Sequence, residues 1–156
     1  MLSVNPSRTK KIGQGLAREI LKDSGSKSLI IGLEGDLGGG KTTFLQGFAK
    51  ELKIKRKILS PTFVIVRKLD IPRDKKIKSR FLRFYHIDCY RIEKPKDILE
   101  LDFKKIISDS KNIIAIEWVN RIKKILPERI ILIKFKFINR NTREIKIFFP
   151  KNYGQR

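Results

Sequence analysis

Cysteine and long apolar runs are both scarce in this 156-residue sequence. Cys89 is the only cysteine, so no disulfide can form within the chain, which favours a reducing compartment. No apolar stretch approaches the roughly 20 residues that a transmembrane helix needs. The segment 1–8 also lacks the apolar core of a secretory signal. We therefore expect a cytoplasmic protein that does not associate with a membrane.

Acidic residues are also few, with 16 Asp and Glu against 37 Lys and Arg, for a formal net charge of +21. Such an excess fits a polyanionic partner such as RNA, or an acidic protein surface. The lysines are nevertheless spread over predicted strands, helices and loops, which favours a generally solvated basic surface. The 40% hydrophobic content supports an ordinary core. We predict one domain spanning residues 1–156, with 150–156 as a frayed tail.

The segment Gly35–Thr43, with the sequence GDLGGGKTT, has the clearest functional pattern. It matches G-x-x-x-x-G-K-[ST], and it lies between an apolar run at 29–33 and helical apolar spacing at 44–52. In that context glycines let successive backbone N–H groups surround a polyphosphate at the positive end of a helix. The segment predicts a nucleoside-triphosphate site. Lys41 would contact the β- and γ-phosphates, and the Thr42 hydroxyl would be a Mg²⁺ ligand.

Two carboxylates end later apolar runs. Asp88 closes the run at 81–88, and Glu117 follows the run at 113–116. Ligands of open α/β sheets bind at the carboxyl edge of the strands, where acids hold Mg²⁺ or the attacking water. Asp88 could instead cap the turn that follows it. His86 lies two residues earlier in the same strand, on the same side as Asp88, and is predicted to form a structural hydrogen bond.

Apolar spacing predicts helices at about 6–24, 44–52, 95–107 and 119–126, the last stopped by Pro127. Strands are predicted at 29–33, 64–66, 81–88 and 113–116. Ser60-Pro61 leads into the second of these, where Thr62 is either a strand residue or part of a switch-like loop near the γ-phosphate. Strict alternation at 131–137 and 145–149 predicts an antiparallel hairpin. The fold class is α/β, a P-loop NTPase-like mixed β-sheet flanked by helices, with this hairpin at its C-terminal end.

Four motifs follow one another in the chain: the GDLGGGKTT loop, Ser60–Phe63, His86–Arg91 and Ile116–Trp118. In this order they resemble the bacterial TsaE (YjeE) family of small ATPases. The similarity runs from about residue 9 to residue 121 and leaves the hairpin weakly matched. It implies an ATP-binding, slowly hydrolysing, Mg²⁺-dependent protein required for N6-threonylcarbamoyladenosine modification of tRNA. The implied partners are TsaD-like and TsaB-like proteins, with tRNA contacted indirectly or weakly.

The resemblance also implies roles for residues of this chain. The implied nucleotide-binding set is Thr9, Leu37, Gly38, Gly39, Gly40, Lys41, Thr42, Thr43 and Arg143. Thr42 and Glu117 would coordinate Mg²⁺. Asp88 and Lys41 would be catalytic, and Thr62 would lie in the switch-like loop.

Three other functions remain open on the residues alone. A small P-loop kinase would need an arginine over its substrates, and only Arg73 and Arg80 of the basic 70–80 segment are candidates. A GTPase is disfavoured because the sequence has no Asn-Lys-x-Asp stretch to recognise guanine. A basic RNA-binding module with a vestigial nucleotide site is the fourth possibility.

Overall fold

The computed structural model describes residues 1–23, 25–59, 66–73, 79–151 and 153. The predictions for 60–65, including the start of the strand at 64–66 and the switch-like loop position of Thr62, lie outside the described residues. The strands are β1 Leu2–Ser3, β2 Leu29–Gly35, β3 Val66–Asp70, β4 Arg83–Asp88, β5 Asn112–Glu117, β6 Ile131–Phe137 and β7 Arg143–Phe148. The α-helices are α1 Pro6–Leu21, α2 Lys41–Glu51 and α3 Phe103–Ser108.

The described strands form a seven-stranded sheet in the order β1-β7-β6-β2-β5-β4-β3. The four central strands β6, β2, β5 and β4 run parallel to one another. The edge strands pair antiparallel: β3 with β4, β7 with β6, and β1 with β7. This arrangement confirms the predicted α/β fold with a mixed sheet and a C-terminal antiparallel hairpin.

The central strands are covered on both faces, which explains why they are continuous apolar runs in the sequence. Every residue of β5 is buried. On one face α1 and α2 pack with a cluster that includes Ile31, Phe44 and Phe48. On the other face α3 and the short helical turns pack with Ile30 and Phe103. No helix in the described part of the chain is long and apolar enough to cross a bilayer.

Helices α1 and α2 cross at two glycines. A Cβ added to Gly13 would lie 2.2 Å from the carbonyl oxygen of Phe44, and one added to Gly47 would lie 2.0 Å from that of Lys10. Both distances are far below a normal carbon–oxygen contact, so the two backbones approach this closely only because side chains are missing. The crossing thereby holds the beginning of α2, and the glycine-rich segment before it, against α1; we call residues 35–43 the phosphate loop, after their predicted role.

Several predicted helix boundaries were wrong. The first helix is capped by the Asn5 side chain, which accepts from the Arg8 N–H at 2.8 Å, but it ends at Leu21 and not near 24. Beyond that end, Asp23 forms an ion pair with Arg80 at 2.7 Å. Strand β1 was not predicted, because two residues are too short to show an alternation.

The predicted helices at 95–107 and 119–126 are both interrupted. Asp102 has φ 56°, so the first region divides into a 3₁₀ turn at Pro95–Leu101 and helix α3. In the second, two 3₁₀ turns, Val119–Arg121 and Lys123–Ile125, flank Ile122, whose φ of −122° is not helical. The residue before Pro127 is extended, as proline requires, and the helical region stops there.

Candidate functional site

The phosphate loop connects the end of β2 to the start of α2, as the sequence predicted. Gly35, Gly38 and Gly40 have φ values of 145°, 72° and 97°, which other residues rarely adopt. A Cβ on Gly35 would also lie 2.3 Å from the Phe135 carbonyl oxygen. Within the loop, the Gly39 N–H donates to the Asp36 carbonyl at 3.0 Å. The glycines therefore allow the positive φ angles that the backbone needs to turn from β2 into α2.

Lys41 is the first residue of α2, and only 5% of it is exposed. Its Nζ donates to the carbonyl oxygens of Gly35 at 2.6 Å and Asp36 at 2.8 Å. The same ammonium lies 4.1 Å from the centre of the Trp118 ring, a cation–π distance. These contacts hold the ammonium inside the loop.

Burial lowers the pKa of Lys41, because the charged form loses hydration. The nearby charges of Glu117, Asp88 and Asp36 act in the opposite direction and favour the ammonium. The charges of three acids thus act on one buried cation near the carboxyl edge of the sheet. Their positions agree with the predicted gathering of Asp88 and Glu117 beside the phosphate loop.

Glu117 ends β5, with its Cα in register with Leu33 of β2 and Asp88 of β4. Only 3% of the residue is exposed. Its carboxylate accepts from the Thr42 hydroxyl, at 3.0 Å to Oε1 and 3.1 Å to Oε2. Oε1 also lies 2.8 Å from Nε2 of His86. The two residues predicted to be metal ligands, Thr42 and Glu117, are therefore in direct contact.

Asp88 lies beside Glu117 at the same edge and is 7% exposed. Its Oδ1 accepts from the Tyr90 N–H at 2.9 Å, which is a turn-capping bond. Oδ1 of Asp88 therefore caps the turn after β4, which was the alternative role suggested by the sequence. The predicted catalytic role of Asp88 remains a prediction, compatible with its place next to Glu117 and near Lys41.

Thr9 and Arg143 flank Gly40 at the start of α2. A Cβ on Gly40 would lie 3.7 Å from Thr9 Cγ2 and 3.9 Å from Arg143 Cδ. Arg143 Nε donates to the Gly38 carbonyl at 3.3 Å. The Thr9 hydroxyl is 2.7 Å from the Ser3 hydroxyl. The structure thus brings both residues to the loop, although the Thr9 hydroxyl bonds to strand β1.

One cleft joins most of the predicted residues with Trp118. It is lined by Leu37, Gly38, Gly39, Gly40, Lys41, Thr42, Thr43, Glu117 and Trp118. Leu37 is 76% exposed and lies at the rim. Trp118 was not among the predicted site residues, although its position in the Ile116–Trp118 motif was a signal for it. Its ring lies over Lys41 and also contacts Tyr90, with ring centres 5.1 Å apart.

The oxygen atoms at this site fit Mg²⁺, which prefers hard oxygen donors and keeps several waters or phosphate oxygens. A hydroxyl and a carboxylate meet at one point, where Thr42 contacts Glu117. Among the described residues, no three His, Cys, Asp or Glu side chains gather as a metal cage. Thr42 and Glu117 are the described side chains whose oxygen atoms meet there and could hold such an ion.

Neither arginine suggested for a kinase lies at this edge. Arg80 donates to Asp23 Oδ2 and to the Lys27 carbonyl, both at 2.7 Å, and also to the Ser110 carbonyl. These partners lie before β2 and β5, at the amino edge of the sheet. Arg73 follows the end of antiparallel β3, at that same edge. Arg80 therefore joins chain segments far from the phosphate loop.

Comparison with known proteins gives a consistent match. The family model described as Threonylcarbamoyl adenosine biosynthesis protein TsaE matches residues 3–145. A Bacillus subtilis (strain 168) protein named tRNA threonylcarbamoyladenosine biosynthesis protein TsaE is 36% identical over 143 residues, covering 92% of this chain and 80% of the relative. The Haemophilus influenzae protein of the same name is 31% identical over 147 residues, covering 93% and 85%.

Among solved structures, the crystal structure of Bacillus subtilis YdiB superposes with a TM-score of 0.70 and 30% identity. The match covers 97% of this chain and 85% of the YdiB chain. The resemblance inferred from the four ordered motifs is thereby confirmed, and it extends through the hairpin that the motifs left weakly matched. The chain belongs to the TsaE family.

Proposed function

We propose that this protein binds ATP with Mg²⁺ at the phosphate loop and hydrolyses it slowly. In this proposal it serves N6-threonylcarbamoyladenosine modification of tRNA together with TsaD-like and TsaB-like proteins. The observation that carries the nucleotide part is the contact of Thr42 with Glu117 at 3.0 Å, which joins the loop to the sheet edge. A Gly-rich turn with no ligand has no need of a buried carboxylate at that point.

In this proposal, some of the described residues would bind the nucleotide and others would take part in its hydrolysis. Backbone N–H groups at the start of α2 would bind phosphate oxygens, and the Lys41 ammonium would neutralise part of their charge. Mg²⁺, held by Thr42 and Glu117, would supply positive charge to the phosphates. Asp88, at the edge beside Glu117, would orient a water. Thr9 and Arg143, on the other side of Gly40, would face the sugar or base.

The pathway is supported by the names of the relatives, which are tRNA threonylcarbamoyladenosine biosynthesis proteins, whereas the partners follow only from the family resemblance. The charge of +21 also favours association with acidic proteins or with RNA. Co-purification from a lysate, with and without ATP, should recover TsaD-like and TsaB-like proteins. Recovery of tRNA alone, unchanged by a loop mutation, would favour the RNA-binding alternative.

The nucleotide site is tested by isothermal titration calorimetry of ATP with Mg²⁺. Lys41→Met removes the buried ammonium but keeps most of the side-chain volume. Loss of charge-assisted hydrogen bonds of about 1.5–3 kcal/mol predicts a fall in affinity of roughly 10- to 100-fold. Lys50→Met is the matched control, because Lys50 is an exposed lysine of the same helix. Equal affinities in both variants would refute the site.

A further inference from the structure

His86 contacts the candidate metal site from a strand that is not part of the phosphate loop. The residue is completely buried, and its Nε2 lies 2.8 Å from Oε1 of Glu117. The Cα of His86 is in register with Ala115 of β5, two residues before Glu117. The imidazole therefore reaches across neighbouring parallel strands to the end of β5.

Among the described residues, Nε2 of the imidazole ring has a hydrogen-bond partner and Nδ1, which is buried, has none. Since a carboxylate only accepts, Nε2 must carry the hydrogen and donate it to Glu117. In the described structure, the hydrogen bond of this buried ring goes to the Glu117 carboxylate. Its main polar effect is therefore on the orientation of that carboxylate.

Glu117 has two side-chain donors in the described structure, and they belong to different elements. Thr42 belongs to α2, directly after the glycine loop, whereas His86 belongs to β4 inside the sheet. A strand paired on both sides is a rigid support. The bond from His86 can therefore hold the Glu117 carboxylate in one orientation even where the loop and Thr42 adjust to a ligand.

We propose that His86 is a positioning residue that orients Glu117 for Mg²⁺, an inference that rests on the proposed nucleotide function. Hydrogen-bond donors behind a metal-ligating carboxylate fix its direction, and losing one typically lowers metal affinity about 10- to 100-fold. His86 contacts neither the phosphates nor the ion in this account. Its effect passes through the carboxylate of Glu117.

The first test measures ATP binding as a function of Mg²⁺ concentration and, separately, in EDTA. His86→Leu removes the donor at similar volume and should weaken Mg²⁺ binding about 10- to 100-fold, while metal-free ATP binding stays unchanged. His86→Gln places an amide donor near the position of Nε2 and should restore much of the loss. Equal losses with and without Mg²⁺, or equal defects in both variants, would overturn the proposal.

A second measurement does not need ATP and stays informative if His86→Leu fails to fold. His86 is the only histidine, so ¹⁵N-labelled histidine gives one imidazole in the NMR spectrum. We expect hydrogen on Nε2 and a shift of that signal in Glu117→Gln. Hydrogen on Nδ1 alone, or no response to Glu117→Gln, would overturn the proposal. A wild-type protein with the expected spectrum and no ATP binding would refute the proposed function instead.

Discussion

Replacing Gly47 by alanine tests whether α1 and α2 are in direct backbone contact. The added methyl group would lie 2.0 Å from the Lys10 carbonyl oxygen and 2.6 Å from its carbonyl carbon. A carbon–oxygen contact normally needs about 3.3 Å or more. The shortfall is more than an ångström, and both partners are helix backbone that cannot rotate away. The helices must therefore move apart.

The free energy of unfolding should fall by about 2 kcal/mol in Gly47→Ala. Overpacking costs about 1–3 kcal/mol, and we use the upper end because the clash is with backbone. Alanine is about 1 kcal/mol better than glycine within a helix, which offsets part of that cost. For a chain of this size each kcal/mol changes the Tm by roughly 2–4 °C, so the Tm should fall by about 4–8 °C.

Gly15→Ala is the matched control, because Gly15 lies within α1 and a Cβ there meets nothing within 4 Å. That variant gains helix propensity without a clash and should be more stable by about 0.5–1 kcal/mol. Thermal and urea unfolding followed by circular dichroism measure both variants. If Gly47→Ala is as stable as the wild type, or shifts in the same direction as Gly15→Ala, the close crossing is refuted.

Three further predictions concern the site and its surroundings. Glu117→Ala should weaken Mg²⁺-dependent ATP binding more than metal-free binding, and calorimetry showing equal losses would exclude Glu117 as a ligand. Burial, with a smaller effect of Asp88, raises the pKa of Cys89 from its usual 9.0 to about 12. The native thiol should therefore resist alkylation at pH 8 until urea is added. Because the unfolded thiol ionises first, stability should fall between about pH 9 and pH 12. Arg80→Ala should lower the free energy of unfolding by about 1.5–3 kcal/mol in chemical denaturation, by leaving Asp23 without its partner, with ATP affinity unchanged. Lost ATP affinity would place Arg80 at the site.

The phosphate loop and the central strands were predictable because their signals are local. The glycines of 35–43 are needed for the backbone path itself, and the runs 29–33 of β2 and 113–116 of β5 are apolar because both faces of the sheet are covered there. The acids that end β4 and β5 then follow from the rule that parallel strands share a carboxyl edge. The contact of Thr42 with Glu117 was predictable from these local patterns and the rule that parallel strands share a carboxyl edge.

The features that were not predicted depend on distant partners or on single dihedral angles. Strand β1 exists because β7 offers it an edge, with Leu2 opposite Glu144, and two residues contain no periodicity. The break at Asp102 is a single left-handed residue within a region of acceptable helical spacing. The particular bond from His86 to Glu117 joins residues 31 apart in the chain. Alternation indicated only which side of its strand the imidazole would face.

The place of Trp118 has a practical consequence for spectroscopy. The chain has one tryptophan, and its ring lies 4.1 Å from the Lys41 ammonium. All intrinsic indole emission therefore originates beside the phosphate loop, and a change in that emission reports a local event. A denaturation curve recorded by fluorescence would follow unfolding around Trp118 and Lys41, whereas ellipticity follows the whole backbone. A difference between the fluorescence midpoint and the ellipticity midpoint would show that the region around Trp118 and Lys41 unfolds separately from the rest of the chain.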